Sequence, residues 1–86
     1  MTISDYLISI LSNKFGVDKE KTLRFLNEPL NSEIFQFDAI NLVYFILELQ
    51  KKFQFHMNQE ELLRCASWSI QDYTMYLLKE NIELPD

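Results

Sequence analysis

From Asp38 to Phe53 the chain runs DAINLVYFILELQKKF without a glycine or proline, and its apolar residues recur at spacings of three and four. In water such a run favours an amphipathic α-helix. At about 100° per residue, Leu42, Phe45, Ile46, Leu49 and Phe53 share one side, which is the expected core face. Asn41, Glu48 and Lys52 make a narrow polar strip. A second stripe of Ile40, Tyr44, Leu47 and Lys51 lies roughly opposite the core. Of the 17 residues from Phe37 to Phe53, 11 are apolar or aromatic, more than one buried side requires. The outer stripe needs either a cover or a use.

The rest of the chain reads as helices too. It has one glycine and two prolines in 86 residues, few of the punctuators that strands and tight turns need. Residues 3–15 place Ile3, Tyr6, Leu7, Ile10, Leu11 and Phe15 on one face, with Thr2 as N-cap and Asp5 in the first turn. Gly16 is placed to end that helix in a left-handed cap. Asp18 starts a short helical stretch through Leu23, Phe25 and Leu26, which Asn27 and Pro29 stop. The long segment up to Phe37 carries Leu30, Ile34 and Phe35, which reads as a loop strapped across the core. Asn58 and Glu61 have capping-box spacing, opening a short third helix with Leu62, Leu63 and Cys65 facing inward. Ser69 and Asp72 open a final helix that ends near Asn81 and turns Ile70, Tyr73, Leu77 and Leu78 to the core. The expectation is one all-α domain over residues 1–86, a four-helix bundle of three long helices and one short, with a long loop after the first.

Composition excludes several function classes. A chain that is 48% hydrophobic collapses and is not of the disordered class. The longest apolar run, Leu42–Leu47, is far short of the roughly 20 residues of a membrane span. MTISDYLISIL lacks a basic region and carries Asp5, against a signal peptide. The one cysteine, Cys65, excludes an internal disulfide and fits a reducing cytoplasm. A net charge of −5 disfavours nucleic acid and anionic lipid and favours a protein partner with a basic surface.

No catalytic or metal-binding constellation emerges. His56 has no second histidine and no cysteine at ligand spacing, so it reads as a solvated or capping side chain. Cys65 reads as a small core residue, since no motif places a histidine to activate it. Glu60 and Glu61 are helix-start acids favoured by the dipole. Trp68 is an anchor at a helix junction. The expectation is therefore a non-enzymatic protein without a metal.

The stretch DAINLVYFILELQKKFQFHMNQEEL, Asp38 to Leu62, resembles an acyl carrier protein. Carriers read Asp-Ser-Leu at the start of this helix, then a Val, alternating hydrophobics, a charged pair and a Phe, before a turn and an acidic third helix. Asp38, Ile40, Val43, Phe53 and NQEEL fall in that register without gaps. GVDKEK at 16–21 and WSIQDY at 68–73 resemble the family's sequence after its first helix and at the start of its last. The resemblance implies an acyl-carrier-like bundle over nearly the whole chain. It also brings out a departure. Family members attach 4′-phosphopantetheine to the serine after the aspartate, and here that position is Ala39. An alanine methyl cannot form a phosphodiester. Ser32 precedes the helix, and Ser67 and Ser69 lie far along the chain, so none is in register.

Two readings of Ala39 stay open: natural loss of the attachment site, or a deliberate Ser→Ala change in a genuine acyl or aminoacyl carrier, in which case 4′-phosphopantetheine would be its cofactor. The carrier family docks on basic enzyme grooves through an acidic helix face. Here the usual acidic positions hold Asn41, Tyr44, Gln50 and Lys51, which one engineered change would not produce. The resemblance thus implies a docking or adaptor protein that contacts a biosynthetic or modifying enzyme through Ile40, Asn41, Tyr44, Leu47 and Lys51. The combination PLNSEIF…AINLVYFILELQKKF also resembles small carrier-related proteins of bacterial peptide-maturation cassettes. A third possibility, from another class, is a helical domain that self-associates through the stripe. The competing reading of the stripe itself is structural: the loop with Phe35 and Phe37 folds over Ile40 and Leu47.

Overall fold

The structure, a computed structural model, describes residues 1–85. It contains five α-helices: α1 (Ile3–Phe15), α2 (Lys19–Arg24), α3 (Ala39–Phe53), α4 (Gln59–Arg64) and α5 (Ile70–Lys79). A 3₁₀ turn, Cys65–Ser67, links the last two. Among the described residues there is no strand, only a single antiparallel bridge between Pro29 and Ser69.

Four of the helices start with a reciprocal capping box. Thr2 pairs with Asp5, Asp38 with Asn41, Asn58 with Glu61 and Ser69 with Asp72; each cap side chain accepts the backbone N–H of its partner, whose side chain accepts the cap's own N–H. Two otherwise orphaned donors are satisfied at each start. Three ends turn through left-handed residues: Gly16 after α1, Gln54 after α3 and Asn81 just past α5. Gly16 reaches φ 67° without a side-chain penalty, which lets the N–H of Val17 close back on the Leu11 carbonyl. α5 ends at Lys79, and the N–H of Ile82 returns to the carbonyl of Leu77.

The stretch after Asp18 is a helix in its own right, so the bundle holds two short helices instead of the expected one. α2 packs on α1, and its fully buried residue is Thr22, whose hydroxyl donates to the Asp18 carbonyl. Leu23 points outward.

α1, α3 and α5 supply most of the core. Leu7, Leu11, Phe45, Leu49, Ile70, Tyr73 and Leu77 are essentially inaccessible. Phe45 meets Tyr73 edge-on with ring centroids 5.2 Å apart and Phe15 at 6.0 Å, a preferred aromatic geometry. The loop between α2 and α3 is a strap pinned to the start of α5. Gln71 N–H donates to the Leu26 carbonyl, Leu30 N–H to Trp68 and Phe37 N–H to Leu30. Leu30, Phe35 and Phe37 are buried beneath it, with Phe37 against Phe15.

Three expected core residues lie outside. Leu62 and Leu63 are exposed because six-residue α4 buries none of its side chains; the interior positions on either side of it go to Met57 and Cys65. Leu78 is also exposed, because the buried face of α5 runs through Ile70, Tyr73, Thr74 and Leu77.

Candidate functional site

α3 starts at Ala39, one residue after a cap that fixes its first turn. Asp38 accepts the Asn41 N–H at 2.8 Å, and the Asn41 side chain accepts the Asp38 N–H at 3.2 Å. Asn41 is therefore half-buried and committed to the cap through its oxygen. Inward, α3 buries the five residues that its periodicity assigns to the core: Leu42, Phe45, Ile46, Leu49 and Phe53.

The outer face is open. Ile40 is 64% exposed, Tyr44 61% and Leu47 53%, with Lys51 exposed one turn further on. Phe35 and Phe37 do not cover them, because both are turned into the core. Val43, 54% exposed, belongs to the same face, although the sequence reading left it out of the stripe. On a helical wheel it lies about 40° from Leu47, so the signal was present in the sequence. Ala39, Ile40, Val43 and Tyr44 line one shallow hollow at the start of this face. A second hollow beside it is lined by Lys14, Phe15, Asn41, Tyr44 and Glu48. Tyr44 thus stands between two depressions. Contiguous exposed apolar groups of this kind mark contact surfaces, and a tyrosine presents area and a polar tip at low entropy cost.

The position that resembles a phosphopantetheine site does not fit that group. Ala39 is exposed but offers only a methyl. Ser32 Oγ is buried and has no hydrogen-bond partner, so a transferase could not reach it. Ser69 is buried, and its hydroxyl accepts the Asp72 N–H. Ser67 is exposed but sits on the 3₁₀ turn before α5.

The remaining polar groups have structural duties. Cys65 is fully buried, its thiol donates to the Leu62 carbonyl, and burial pushes its pKa up, away from thiolate chemistry. The Tyr73 hydroxyl donates to the Cys65 carbonyl and is held far above the usual phenol range, chiefly by burial. Glu61 caps α4 and accepts the Tyr76 hydroxyl at 2.8 Å; the Asn58 N–H, then Tyr76, hold its carboxyl below the usual range. Trp68 is half-buried and packs edge-on to Tyr73 with a tilted contact to Tyr76. His56 is exposed. Among the described residues no cluster of His, Cys, Asp and Glu is arranged to hold a metal ion, and no helix is long and apolar enough to cross a membrane.

Compared with protein-family models, with curated proteins and with solved structures, the chain matches none.

Proposed function

We propose that this chain is an acyl-carrier-like docking protein: a bundle of the carrier type that has lost the attachment of 4′-phosphopantetheine and contacts a biosynthetic or modifying enzyme. The pathway class is bacterial peptide maturation, on the resemblance of PLNSEIF…AINLVYFILELQKKF, and the setting is the cytoplasm. The protein is an adaptor and not an enzyme. One observation carries the reading. Ala39 opens α3 directly after the capping Asp38, where a carrier would hold its serine, and the face that follows is apolar and exposed through Ile40, Val43, Tyr44 and Leu47. A working carrier needs the hydroxyl and a recognition surface for the enzymes that load it. This chain has neither in the family's form.

Incubation with a broad-specificity phosphopantetheinyl transferase and coenzyme A tests the first half, and mass spectrometry should show no gain. A mass increase matching the arm would place a working hydroxyl elsewhere and end the adaptor reading. Ala39→Ser should be modified poorly, because Asn41, Tyr44 and Lys51 replace the acidic docking face. Efficient modification would instead favour a genuine carrier with an engineered alanine. The second half is tested with purified products of the neighbouring genes: one of them should bind the chain and lose that binding on Tyr44→Ala.

A further inference from the structure

We infer that α4 is a latched flap: it unwinds while the rest of the bundle stays folded, and the hydrogen bond from the Tyr76 hydroxyl to Glu61 holds it shut. The six residues QEELLR of α4 make fewer than two turns. A helix that short is marginal in water on its own. Packing adds little, since none of its side chains is buried and only Glu61 is even partly covered. What remains is the capping box with Asn58 and one tie to the bundle. The Tyr76 hydroxyl donates to Glu61 Oε2 at 2.8 Å, and among the described residues this is the one hydrogen bond between α4 and another helix. The same carboxylate accepts the Asn58 N–H through Oε1 at 3.0 Å. Glu61 therefore closes the cap with one oxygen and holds the flap down with the other.

The segments on either side of α4 are fixed whether or not it is helical. Before it, Met57 is buried and its N–H donates to Gln50 Oε1 at 3.0 Å. After it, Cys65 is buried, and its carbonyl accepts the Tyr73 hydroxyl at 3.1 Å and the Trp68 N–H. Phe55 and Trp68, one on each side of α4 in the chain, both pack on the Tyr76 ring, with centroids 6.1 and 5.3 Å away. Residues 58–64 can thus unwind between two pins without disturbing the core. The Tyr76 ring stays where its neighbours hold it, and only its hydroxyl loses an acceptor. Local opening is drawn from elements of this kind, with few buried apolar contacts.

Near neutrality both latch groups are in their bonding forms. Burial first, then Glu61, holds the Tyr76 hydroxyl above the usual phenol range, and the Asn58 N–H, then Tyr76, hold the Glu61 carboxyl below its own. Opening withdraws Glu61 from the wall of the hollow it shares with Arg64, Trp68, Met75, Tyr76 and Lys79. Aromatic surface of Trp68 and Tyr76 is then uncovered. The motion does not depend on what binds the outer face of α3.

Native-state hydrogen exchange of the intact chain, followed by NMR residue by residue, tests the latch. The amides of Glu61, Leu62 and Cys65 are bonded within the flap. They should exchange at least about a hundredfold faster than that of Leu49 in the core. Their rates should barely change in about 1 M urea, because unwinding six exposed residues uncovers little surface. Tyr76→Phe keeps the ring and removes the latch, and should speed these amides about fivefold. Ile46→Val, in the core of α3, weakens the closed and open forms alike. It should speed Leu49 several-fold and leave the flap amides unchanged. Flap amides that share the rate and urea dependence of Leu49 would show that α4 melts only with the whole bundle. Unchanged flap rates in Tyr76→Phe, or equal acceleration by Ile46→Val, would likewise overturn the latch.

Discussion

Tyr44 and Phe45 are adjacent aromatic residues of similar size on the same helix, yet their substitution should have opposite consequences. Phe45 is fully buried, with Tyr73 edge-on at 5.2 Å and Phe15 at 6.0 Å. Phe45→Ala removes the ring from the centre of the core and leaves a cavity walled by helices that cannot collapse fully, at a cost of about 3–5 kcal/mol. Tyr44 is 61% exposed. Tyr44→Ala loses only partial burial and gains helix propensity of about 0.5 kcal/mol, so its net cost should be about 1 kcal/mol or less. At 0.05–0.15 kcal/mol per residue, a domain of this size has roughly 4–13 kcal/mol to lose.

Urea titration followed by far-UV circular dichroism and by the fluorescence of Trp68 reads both changes. With a slope near 1 kcal/mol per molar urea, the Tyr44→Ala midpoint should fall by about 1 M or less, and the Phe45→Ala midpoint by about 3 M or more. At the low end of that stability range the latter places Phe45→Ala close to unfolding without denaturant. Equal shifts would mean that the outer face of α3 is packed in solution within the monomer, and the docking assignment would fail with the helix orientation that supports it.

Tyr73→Phe should cost about 1 kcal/mol in the same titration. The Cys65 carbonyl that loses the hydroxyl keeps the Trp68 N–H, so a loss above about 3 kcal/mol would refute this account of its satisfaction. Gln54 ends α3 at φ 55°, so Gln54→Gly should stabilise by about 0.5 kcal/mol; destabilisation would show that the side chain matters more than the strain. Glu61 has a carboxyl held low in the folded state, so its cap is fully present above the ordinary glutamate range and lost as pH falls through the depressed folded value. Glu61→Gln retains a capping partner but not the charge, and its urea midpoint should fall less between pH 5 and pH 3 than that of the parent; parallel curves would remove Glu61 from the acid response.

The helices were legible because their signals are local. Thr2, Asp38, Asn58 and Ser69 mark their starts by side chains that act within three residues, and Gly16 marks an end by its own backbone freedom. The five core residues of α3 follow from period alone because the helix is long enough to average out irregularity. α4 was misjudged for the converse reason. Six residues make fewer than two turns, so no face is defined by periodicity, and burial is decided by which neighbour reaches the core first. Met57 and Cys65 took those positions, and Leu62 and Leu63 were left outside. Leu78 failed similarly: Ile70, Tyr73 and Leu77 already complete the face that meets the core, and the next residue is turned about 100° away.

The outer stripe of α3 was legible as an excess of apolar residues, but its fate depended on the strap, which local pattern does not govern. The strap has enough aromatic surface to cover a helix face, and Phe35 and Phe37 could in principle have lain over Ile40 and Leu47. Backbone bonds decide otherwise. Gln71 to Leu26 and Leu30 to Trp68 tie the strap to the start of α5, Phe37 to Leu30 closes the strap on itself, and its two phenylalanines turn into the core. A strap fixed in that place cannot also cross α3. The apolar surface of Ile40, Val43, Tyr44 and Leu47 is therefore left over after the core is complete. The part of it that faces water contributes nothing to folding, since only removal from water yields hydrophobic free energy. On the proposed docking reading that free energy goes to association, so Tyr44→Ala should separate binding from stability while Phe45→Ala cannot.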